Sequence, residues 1–173
     1  ESSLEAVAEL LPKGRCLALA GDVNSMGDID RAIERAAEVF GGLDGAVHAA
    51  CPRSLGWGTR FEDLKPENLF ADLILQLGSA ILFSQRVLEN FRTRKKGSFV
   101  HLSSIQGLGA PKFEHYETTE MVSPAEYTAM KHGIVGLTRY LAKYYAGSAI
   151  RVNCVSPGGI EIGQPESFRK YYR

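Results

Sequence analysis

The chain has 173 residues, enough for one domain with a sizeable hydrophobic core. Its 20 basic and 20 acidic residues cancel, so charge predicts neither a nucleic-acid surface nor a membrane-binding surface. No uninterrupted apolar run is long enough to span a bilayer. The three cysteines are widely spaced and form no Cys-x-x-Cys pair, so we expect no disulfide framework, no metal site and a reducing, cytoplasmic location.

Short apolar strands alternate with longer helical stretches along the whole chain. In chain order, the pattern predicts a short helix capped by Ser2 and Glu5, a strand at 15–20, a helix from the Ser25–Asp28 capping box to Gly41–Gly42, a strand at 43–50, a helix from Pro66 to about Arg94, a strand at 98–102, a helix at 123–146 and a strand at 150–155. Such alternation is typical of βαβ units with a parallel sheet and right-handed crossovers. We therefore predict an α/β fold with helices packed on a parallel sheet.

The helix at 123–146 has clear end signals. Ser123 and Glu126 have the spacing of a capping box, with Pro124 at the first helical position. Apolar residues recur at the helical period, and Gly147 is a plausible stop. This assignment places Tyr127 and Lys131 in the first two turns.

Tyr127 and Lys131 are four residues apart, so a helix presents both on one face. A nearby ammonium group favours the ionised form of a phenol, which makes Tyr127 a candidate for proton transfer. A short motif of this kind also occurs by chance, with the tyrosine in the core and the lysine on the surface. The spacing alone leaves both interpretations open.

Polar and glycine-rich residues follow each predicted strand. The four segments are Gly21-Asp22, Cys51-Pro52, Ser103-Ser104 and Ser156-Pro157-Gly158-Gly159. The carboxyl ends of parallel strands lie at one edge of the sheet, where open α/β folds bind ligands. Together with the Tyr127 helix, they predict a binding site at that edge.

In order along the chain, several segments resemble the short-chain dehydrogenase/reductase family. They are Gly21-Asp22-Val23, Leu43-Asp44-Gly45-Ala46-Val47, Ser103-Ser104, Tyr127 with Lys131, and Arg151-Val152-Asn153-Cys154-Val155-Ser156-Pro157-Gly158. Further stretches resemble a subgroup linked to flagellin or surface-polysaccharide modification, which acts on amino-sugar precursors: Glu114 to Tyr116, Ser123 to Lys131, 141–145, Pro157 to Ile160 and 164–166. The resemblance implies a Rossmann-type doubly wound sheet.

The resemblance also implies a catalytic set. Tyr127 would be the general acid/base, and Lys131 would support its ionisation and hold the nicotinamide ribose. Ser104 would donate a hydrogen bond to the substrate oxygen, with Ser103 as the alternative if the alignment shifts by one residue. Gln76 lies at the place of the family's catalytic asparagine, where an ordinary polar helix position is an equally open interpretation.

The cofactor implied by the resemblance is NAD or NADP. Asp22 and Val23 would contact its adenine, and Ala49 and Ala50 would lie beside it. The segment 157–160 would lie at the nicotinamide, where Pro157 belongs to the binding set, Gly158 allows close backbone approach and Ile160 bonds the carboxamide.

Two departures from the family pattern stand out beside Gln76. The glycine-rich first turn is absent, so we expect a partial single domain at 1–173, without the first βαβ unit and the C-terminal end. His48-Ala49-Ala50-Cys51 replaces an Asn-Asn-Ala-Gly motif. We interpret His48 and His101 as strand histidines satisfied by their neighbours rather than as catalysts.

The segment between Ser104 and Tyr127 is long for the family. Lys112, His115, Tyr116 and Glu117 form a polar, aromatic cluster that either lines a substrate pocket or lies on a solvated loop, and Trp57 is a second candidate for the pocket wall.

We expect an oxidoreductase that interconverts a secondary alcohol and a ketone on a small polar or sugar-derived substrate, as a homodimer or homotetramer at full length. The alternatives are a 3-oxoacyl reductase-like enzyme and a catalytically silent, nucleotide-sensing member.

Overall fold

The computed structural model describes residues 2–12 and 14–172. Its helices and strands in chain order are α1 (Ser2–Glu9), α2 (Met26–Phe40), β1 (Gly45–His48), α3 (Pro66–Asp72), a π-helical segment (Leu73–Gly78), α4 (Ser79–Arg94), β2 (Gly97–Leu102), α5 (Ala125–Tyr144), β3 (Ile150–Val155) and α6 (Glu166–Tyr172). Short 3-10 turns lie at Phe61–Asp63, Ile105–Gly107 and Phe113–His115.

The three strands form one parallel sheet in the order β1-β2-β3. His48 is in register with His101, which is in register with Cys154. Each connection between neighbouring strands includes a long helix, as a parallel pair requires. The predicted parallel α/β architecture is confirmed.

One face of the sheet carries the core. Phe99 on β2 and Val152 on β3 pack with Val87, Leu88 and Phe91 of α4. The alternating residues of the strands are more exposed, with Val47 59% and Val155 50% exposed. Helices therefore cover the sheet on the side where α4 and α5 lie.

Helix α2 begins and ends where its local sequence predicts. The Ser25 side chain accepts a hydrogen bond from Asp28 N, and Gly41 closes the helix in the left-handed conformation at φ 78°. Arg86 of α4 makes a bidentate ion pair with Asp30 at 2.6 and 2.7 Å, which holds α2 against α4. The predicted cap of α1 by Ser2 and Glu5 concerns side chains outside the described residues.

The predicted strand at 15–20 is wrong, because no strand is present there. A strand needs a ladder partner, and none of the described strands lies beside this segment. Its end is instead tied to α2, since Arg31 donates to Ala20 O at 2.9 Å and Asp22 N donates to Asp28 Oδ2 at 2.8 Å.

The capping box predicted for α5 is also wrong. Pro124 is the N-cap and no side chain caps the helix. The Ser123 hydroxyl donates to Gln106 Oε1 at 3.0 Å instead, so a tertiary contact has taken the group that the local pattern assigned to the cap. Glu126 is buried, and neither of its carboxylate oxygens has a partner among the described residues.

The helix predicted from Pro66 to Arg94 is present, with the π-helical segment inside it. By length and composition this helix could cross a membrane, with a mean hydropathy of 1.2 over an 18-residue window. The sequence did not predict this, because it contains no uninterrupted apolar run long enough to span a bilayer. A core helix of a soluble protein gives the same signature. This one packs on the sheet and carries buried Asp72 and Gln76.

A histidine lies in the centre of the core. The ring of His101 bonds Ser84 Oγ at 2.8 Å and Thr138 Oγ1 at 3.0 Å. Both hydroxyls also lie within hydrogen-bonding distance of helix carbonyl oxygens. Because each hydroxyl has a single hydrogen, with a neutral ring one hydroxyl donates to the ring and the other accepts from it. The prediction that neighbours satisfy His101 is confirmed.

Candidate functional site

The carboxyl ends of the three strands meet at one edge of the sheet. Beyond β2 and β3 the chains stay paired, since Ser103 N donates to Val155 O at 2.8 Å and Ile105 N donates to Pro157 O at 3.0 Å. This pairing places the Ser103-Ser104 segment directly beside the Ser156–Gly159 segment. Three of the four predicted polar segments therefore follow strand ends, and Gly21-Asp22 follows the unpaired segment.

Tyr127 and Lys131 share the face of α5 that points to this edge. The Lys131 ammonium lies 5.4 Å from the centre of the Tyr127 ring. It donates to Leu102 O at 3.1 Å, two residues before Ser104, so it reaches the end of β2. Lys131 is only 8% exposed, and this burial lowers the pKa of its ammonium, while the neighbouring Cys51 and Cys154 oppose that shift. The interpretation of Lys131 as a surface residue is therefore wrong.

The two serines have different partners. Ser103 Oγ donates to Lys131 O at 2.8 Å, which uses its hydrogen on the backbone of α5. Ser104 Oγ accepts from Gln106 N at 3.2 Å, which leaves its own hydrogen for another acceptor. Of the two candidates, Ser104 has the free donor.

Gly107 permits the close approach of α5 to the turn after β2. A Cβ at this position would lie 2.3 Å from Ser103 Oγ and 2.6 Å from Lys131 O. Only a residue without a side chain fits beside this bonded pair, so Gly107 permits Lys131 to come close to the Ser103-Ser104 segment.

Gln76 lies in the π-helical segment, and its amide oxygen accepts from Cys51 Sγ at 3.2 Å. Its amide nitrogen is buried and has no partner among the described residues. Helical π turns are common at functional sites, and this one brings Gln76 to the end of β1.

His48 differs from the sequence prediction. Its Nε2 is buried without a hydrogen-bond partner among the described residues, so the prediction that neighbours satisfy it is wrong. Burial, with the charge of Lys131 as a second cause, lowers the pKa of His48 to about 4. Its ring packs against Phe83 and His101, which explains the burial without supplying an acceptor or donor.

The residues that the resemblance assigns to a dinucleotide lie along the same edge. Ala49 and Ala50 follow β1, and Pro157, Gly158 and Ile160 follow β3, where a Cβ at Gly158 would meet nothing within 4 Å. An ammonium carries three hydrogens, of which Lys131 gives one to Leu102 O, so two are left for ribose hydroxyls. These residues fit the nicotinamide end of the cofactor. Asp22 and Val23, assigned to its adenine, follow the unpaired segment and precede α2.

Two cavities border the segment between β2 and α5. The larger has a volume of about 710 Å³, between the 60–62 segment and the 110–128 segment, and its wall includes Tyr116, Glu117, Ser123 and Thr128. The smaller, of about 260 Å³, is lined by Lys112, His115 and Tyr116 among others. The predicted polar cluster is therefore divided between the two cavities, with Tyr116 on both.

Trp57 lies next to Tyr127 rather than on the wall of either cavity. Their rings meet edge to face, with centroids 5.8 Å apart. The loop that carries Trp57 is tied to α3, because the fully buried Asp72 accepts from Ser54 N at 2.7 Å and from Ser54 Oγ at 2.8 Å. This buried carboxylate was not predicted, and an acidic residue next to the apolar run 73–75 was the available signal.

Gln106 is the second residue that the sequence did not single out. Its side chain bonds Tyr116, Ser123 and Thr128, and its backbone bonds Ser104. Its position two residues after Ser104 was visible in the sequence, but its partners come from three different segments.

Known proteins share this fold. A short-chain dehydrogenase from Leptospira borgpetersenii with bound NAD+ matches 88% of this chain and 57% of its own, with a TM-score of 0.76 and 29% identity. A short chain dehydrogenase from Bacillus anthracis, 23% identical with a TM-score of 0.78, covers 93% of this chain and 61% of its own and supports the fold alone. The architecture is of the Rossmann type.

Sequence comparisons agree with the structural ones. The family model described as enoyl-(acyl carrier protein) reductase matches residues 1–171. Post-translational flagellin modification protein A from Campylobacter coli is 38% identical over 93% of this chain and 63% of its own length. Short-chain dehydrogenase/reductase aba4 from Botryotinia fuckeliana is 35% identical over 80% of this chain and 50% of its own. The chain belongs to the short-chain dehydrogenase/reductase family and spans between half and two thirds of these relatives.

Proposed function

We propose that the full-length protein is an NAD- or NADP-dependent oxidoreductase that interconverts a secondary alcohol and a ketone. The observation that carries the proposal is the position of the Lys131 ammonium, which lies 5.4 Å from the centre of the Tyr127 ring and donates to Leu102 O, two residues before Ser104. The likeness to a structure that holds NAD+ supports the cofactor.

Each of the three side chains has a role that follows from its surroundings. Ser104 donates its free hydrogen to the substrate oxygen and so stabilises the charge that develops there. Tyr127 exchanges a proton with the same oxygen. The positive charge of Lys131 lies beside the Tyr127 ring, and its remaining hydrogens bind the ribose of the cofactor.

The nicotinamide supplies the hydride chemistry when it is bound. The chain supplies its surroundings: Pro157, Gly158 and Ile160 lie beside the Ser103-Ser104 segment, and Ala49 and Ala50 follow β1. Gln76, whose amide nitrogen has no partner among the described residues, offers a buried donor at the same edge that can hold the water of a proton relay.

We further propose a small polar or sugar-derived substrate. The cavity of about 710 Å³ is lined mostly by apolar side chains, among them Phe61, Phe113 and Met121. Within this lining, the hydroxyl groups of Ser123 and Thr128 and the charges of Arg60, Glu62 and Glu117 are the groups that can bind a polar ligand. The likeness to a flagellin modification protein agrees with this class.

A 3-oxoacyl reductase-like activity is the second candidate, since the matching family is described by an acyl-carrier substrate. An acidic carrier needs basic residues at the cavity mouth. Arg60 lines the cavity, but Glu62 and Glu117 line it too and offset its charge.

The test is the Tyr127→Phe variant of the full-length protein, assayed by nicotinamide absorbance on a panel of sugar alcohols, ketones and 3-oxoacyl thioesters. We expect turnover to fall about 10²–10⁴-fold, because the proton-transfer group is lost. Tyr140→Phe, on the exposed side of the same helix, is the matched control. Unchanged turnover of Tyr127→Phe contradicts the proposal, and cofactor binding without turnover on any substrate indicates the sensing alternative.

A further inference from the structure

Three residues on the wall of the larger cavity are bonded to one side chain, that of Gln106. Tyr116, Ser123 and Thr128 all line the cavity of about 710 Å³. Gln106 Nε2 donates to Tyr116 Oη at 3.3 Å, and Gln106 Oε1 accepts from Ser123 Oγ at 3.0 Å and from Thr128 Oγ1 at 3.2 Å. Both acceptor positions of the amide oxygen are therefore used.

The same residue contacts the proposed catalytic serine. Gln106 N donates to Ser104 Oγ, and this bond directs the serine hydrogen away from the backbone. Thr128, the partner at the other end, is the neighbour of Tyr127 in the first turn of α5. Gln106 thus connects one cavity wall to residues on both sides of the reacting oxygen.

Tyr116 is itself held from the far side. Its ring meets Phe168 of α6 edge to face, with centroids 5.1 Å apart, and Phe168 is 6% exposed. Because Tyr116 is held by both Phe168 and Gln106, a ligand that moves Tyr116 also displaces the Gln106 side chain.

We infer that Gln106 is a positioning residue that couples ligand binding in the larger cavity to the orientation of Ser104 and of the first turn of α5. This inference rests on the proposed oxidoreductase function and extends it, because it makes Tyr116, Ser123 and Thr128 part of substrate selection. The ligand class is a polar, hydroxylated substrate that competes for the hydroxyl groups on that wall.

The kinetic test compares two variants of Gln106 in the full-length protein. Gln106→Met keeps the length and removes all three side-chain bonds, whereas Gln106→Glu keeps two acceptor oxygens for Ser123 and Thr128 and lets the Tyr116 hydroxyl donate. We expect Gln106→Met to lower kcat/KM about tenfold or more and Gln106→Glu to recover most of it, with the dissociation constant of the dinucleotide unchanged. Gln85→Met, on the exposed side of α4, is the matched control.

A double-mutant cycle with Tyr116→Phe separates coupling from a general loss of stability. If Gln106 acts through Tyr116, the Tyr116→Phe change has little further effect on kcat/KM once Gln106→Met is present. Additive effects, or equal losses in Gln106→Met and Gln106→Glu, overturn the inference.

Hydrogen exchange provides a readout that needs no turnover. We expect amides of 108–124 and of the first turn of α5 to exchange faster in Gln106→Met, while those of β2 keep their rate. If neither the wild type nor any variant turns over a substrate, but Gln106→Met still exchanges faster in both segments, the proposed function is contradicted and this connection is kept. Unchanged exchange in both segments contradicts the connection itself.

Discussion

Gly107 shows how strongly a single position constrains the site. The residue lies beside Ser103 Oγ and the Lys131 carbonyl, and a Cβ at this position would lie 2.3 Å and 2.6 Å from these two atoms. Ser103 and Lys131 are also bonded to each other at 2.8 Å. The distance between β2 and α5 is therefore set by the absence of one methyl group.

We predict that Gly107→Ala destabilises the fold by about 1–3 kcal/mol, because overpacking moves α5 from the strand end. The same movement displaces Lys131, so the dissociation constant of the dinucleotide should rise. Urea unfolding and cofactor fluorescence measure the two effects in the full-length protein. Gly109→Ala, where a Cβ would meet nothing within 4 Å, is the control, and equal results for the two variants contradict the prediction.

At the scale of elements, Asp72 joins a loop to a helix. Its buried carboxylate accepts two hydrogen bonds from Ser54, in the loop that carries Trp57 to Tyr127. No residue near it in sequence provides these bonds. The loop after β1 is thus held by α3 as well as by its own turn, in which Trp57 N donates to Ser54 O at 3.3 Å.

Asp72→Ala should cost about 1–3 kcal/mol of unfolding free energy, since Ser54 N loses its partner. The Trp57 ring then loses its fixed contact with Tyr127, so its fluorescence emission should shift and broaden. Ser54→Ala removes only the hydroxyl bond and should have a smaller effect on both measurements. An emission spectrum of Asp72→Ala identical to that of the wild type contradicts this role of Asp72.

The elements that the sequence predicted well are those specified by neighbouring residues. The ends of α2 follow from Ser25, Asp28 and Gly41, all within or beside the helix. The run at 15–20 has the composition of a strand, but a ladder depends on partners that local sequence does not contain. For the same reason the local pattern predicts Ser123 as a helix cap. Its bond to Gln106 forms only when segments 17 residues apart meet.

The candidate site followed the same rule. The spacing of Tyr127 and Lys131 and the strand-end position of Ser104 were visible in the sequence. The bonds of Gln106 and Asp72, and the missing partner of His48 Nε2, depend on packing between distant segments. Only coordinates could supply them.

For the whole molecule, the two buried histidines make stability depend on pH. Burial lowers the pKa of His48 and of His101 to about 4, with the charge of Lys131 as a second cause at His48 and that of His48 at His101. Both values lie below the roughly 6.5 of an unfolded histidine, so the folded protein binds fewer protons in this range. Above pH 6.5 the two histidines do not reduce the free energy of unfolding. As the pH falls from 6.5 towards 4, the free energy of unfolding decreases.

We predict that unfolding free energy drops by roughly 2 kcal/mol per buried histidine between pH 7 and pH 5, about 1.4 kcal/mol for each unit of pH below 6.5. Urea unfolding at several pH values measures the drop. The His48→Phe variant should show a shallower dependence, while the exposed His132→Gln should match the wild type. Parallel curves for His48→Phe and the wild type contradict the assignment.

The exposed apolar residues of the long helix suggest a contact between subunits. Phe70 of α3, Ile74 of the π-helical segment and Ile81 of α4 are 60%, 65% and 47% exposed, so each part of the long helix leaves a large apolar side chain in solvent. We predict that the full-length protein is a dimer or tetramer by light scattering and that Ile74→Lys with Ile81→Lys yields monomers. The fully exposed Leu55→Lys is the control, and a monomeric wild type contradicts the prediction.

The wide turn at Leu73–Gly78 has a consequence for how one helix contacts two partners. Before the turn, Asp72 faces the loop at Ser54; after it, Ser84 faces His101 in the sheet. A residue added to a helical turn rotates everything on one side by about 100° relative to the other. Deleting Leu75 would restore a uniform pitch and turn Asp72 away from Ser54. This single extra residue therefore sets the angle between the directions in which Asp72 and Ser84 point from the long helix.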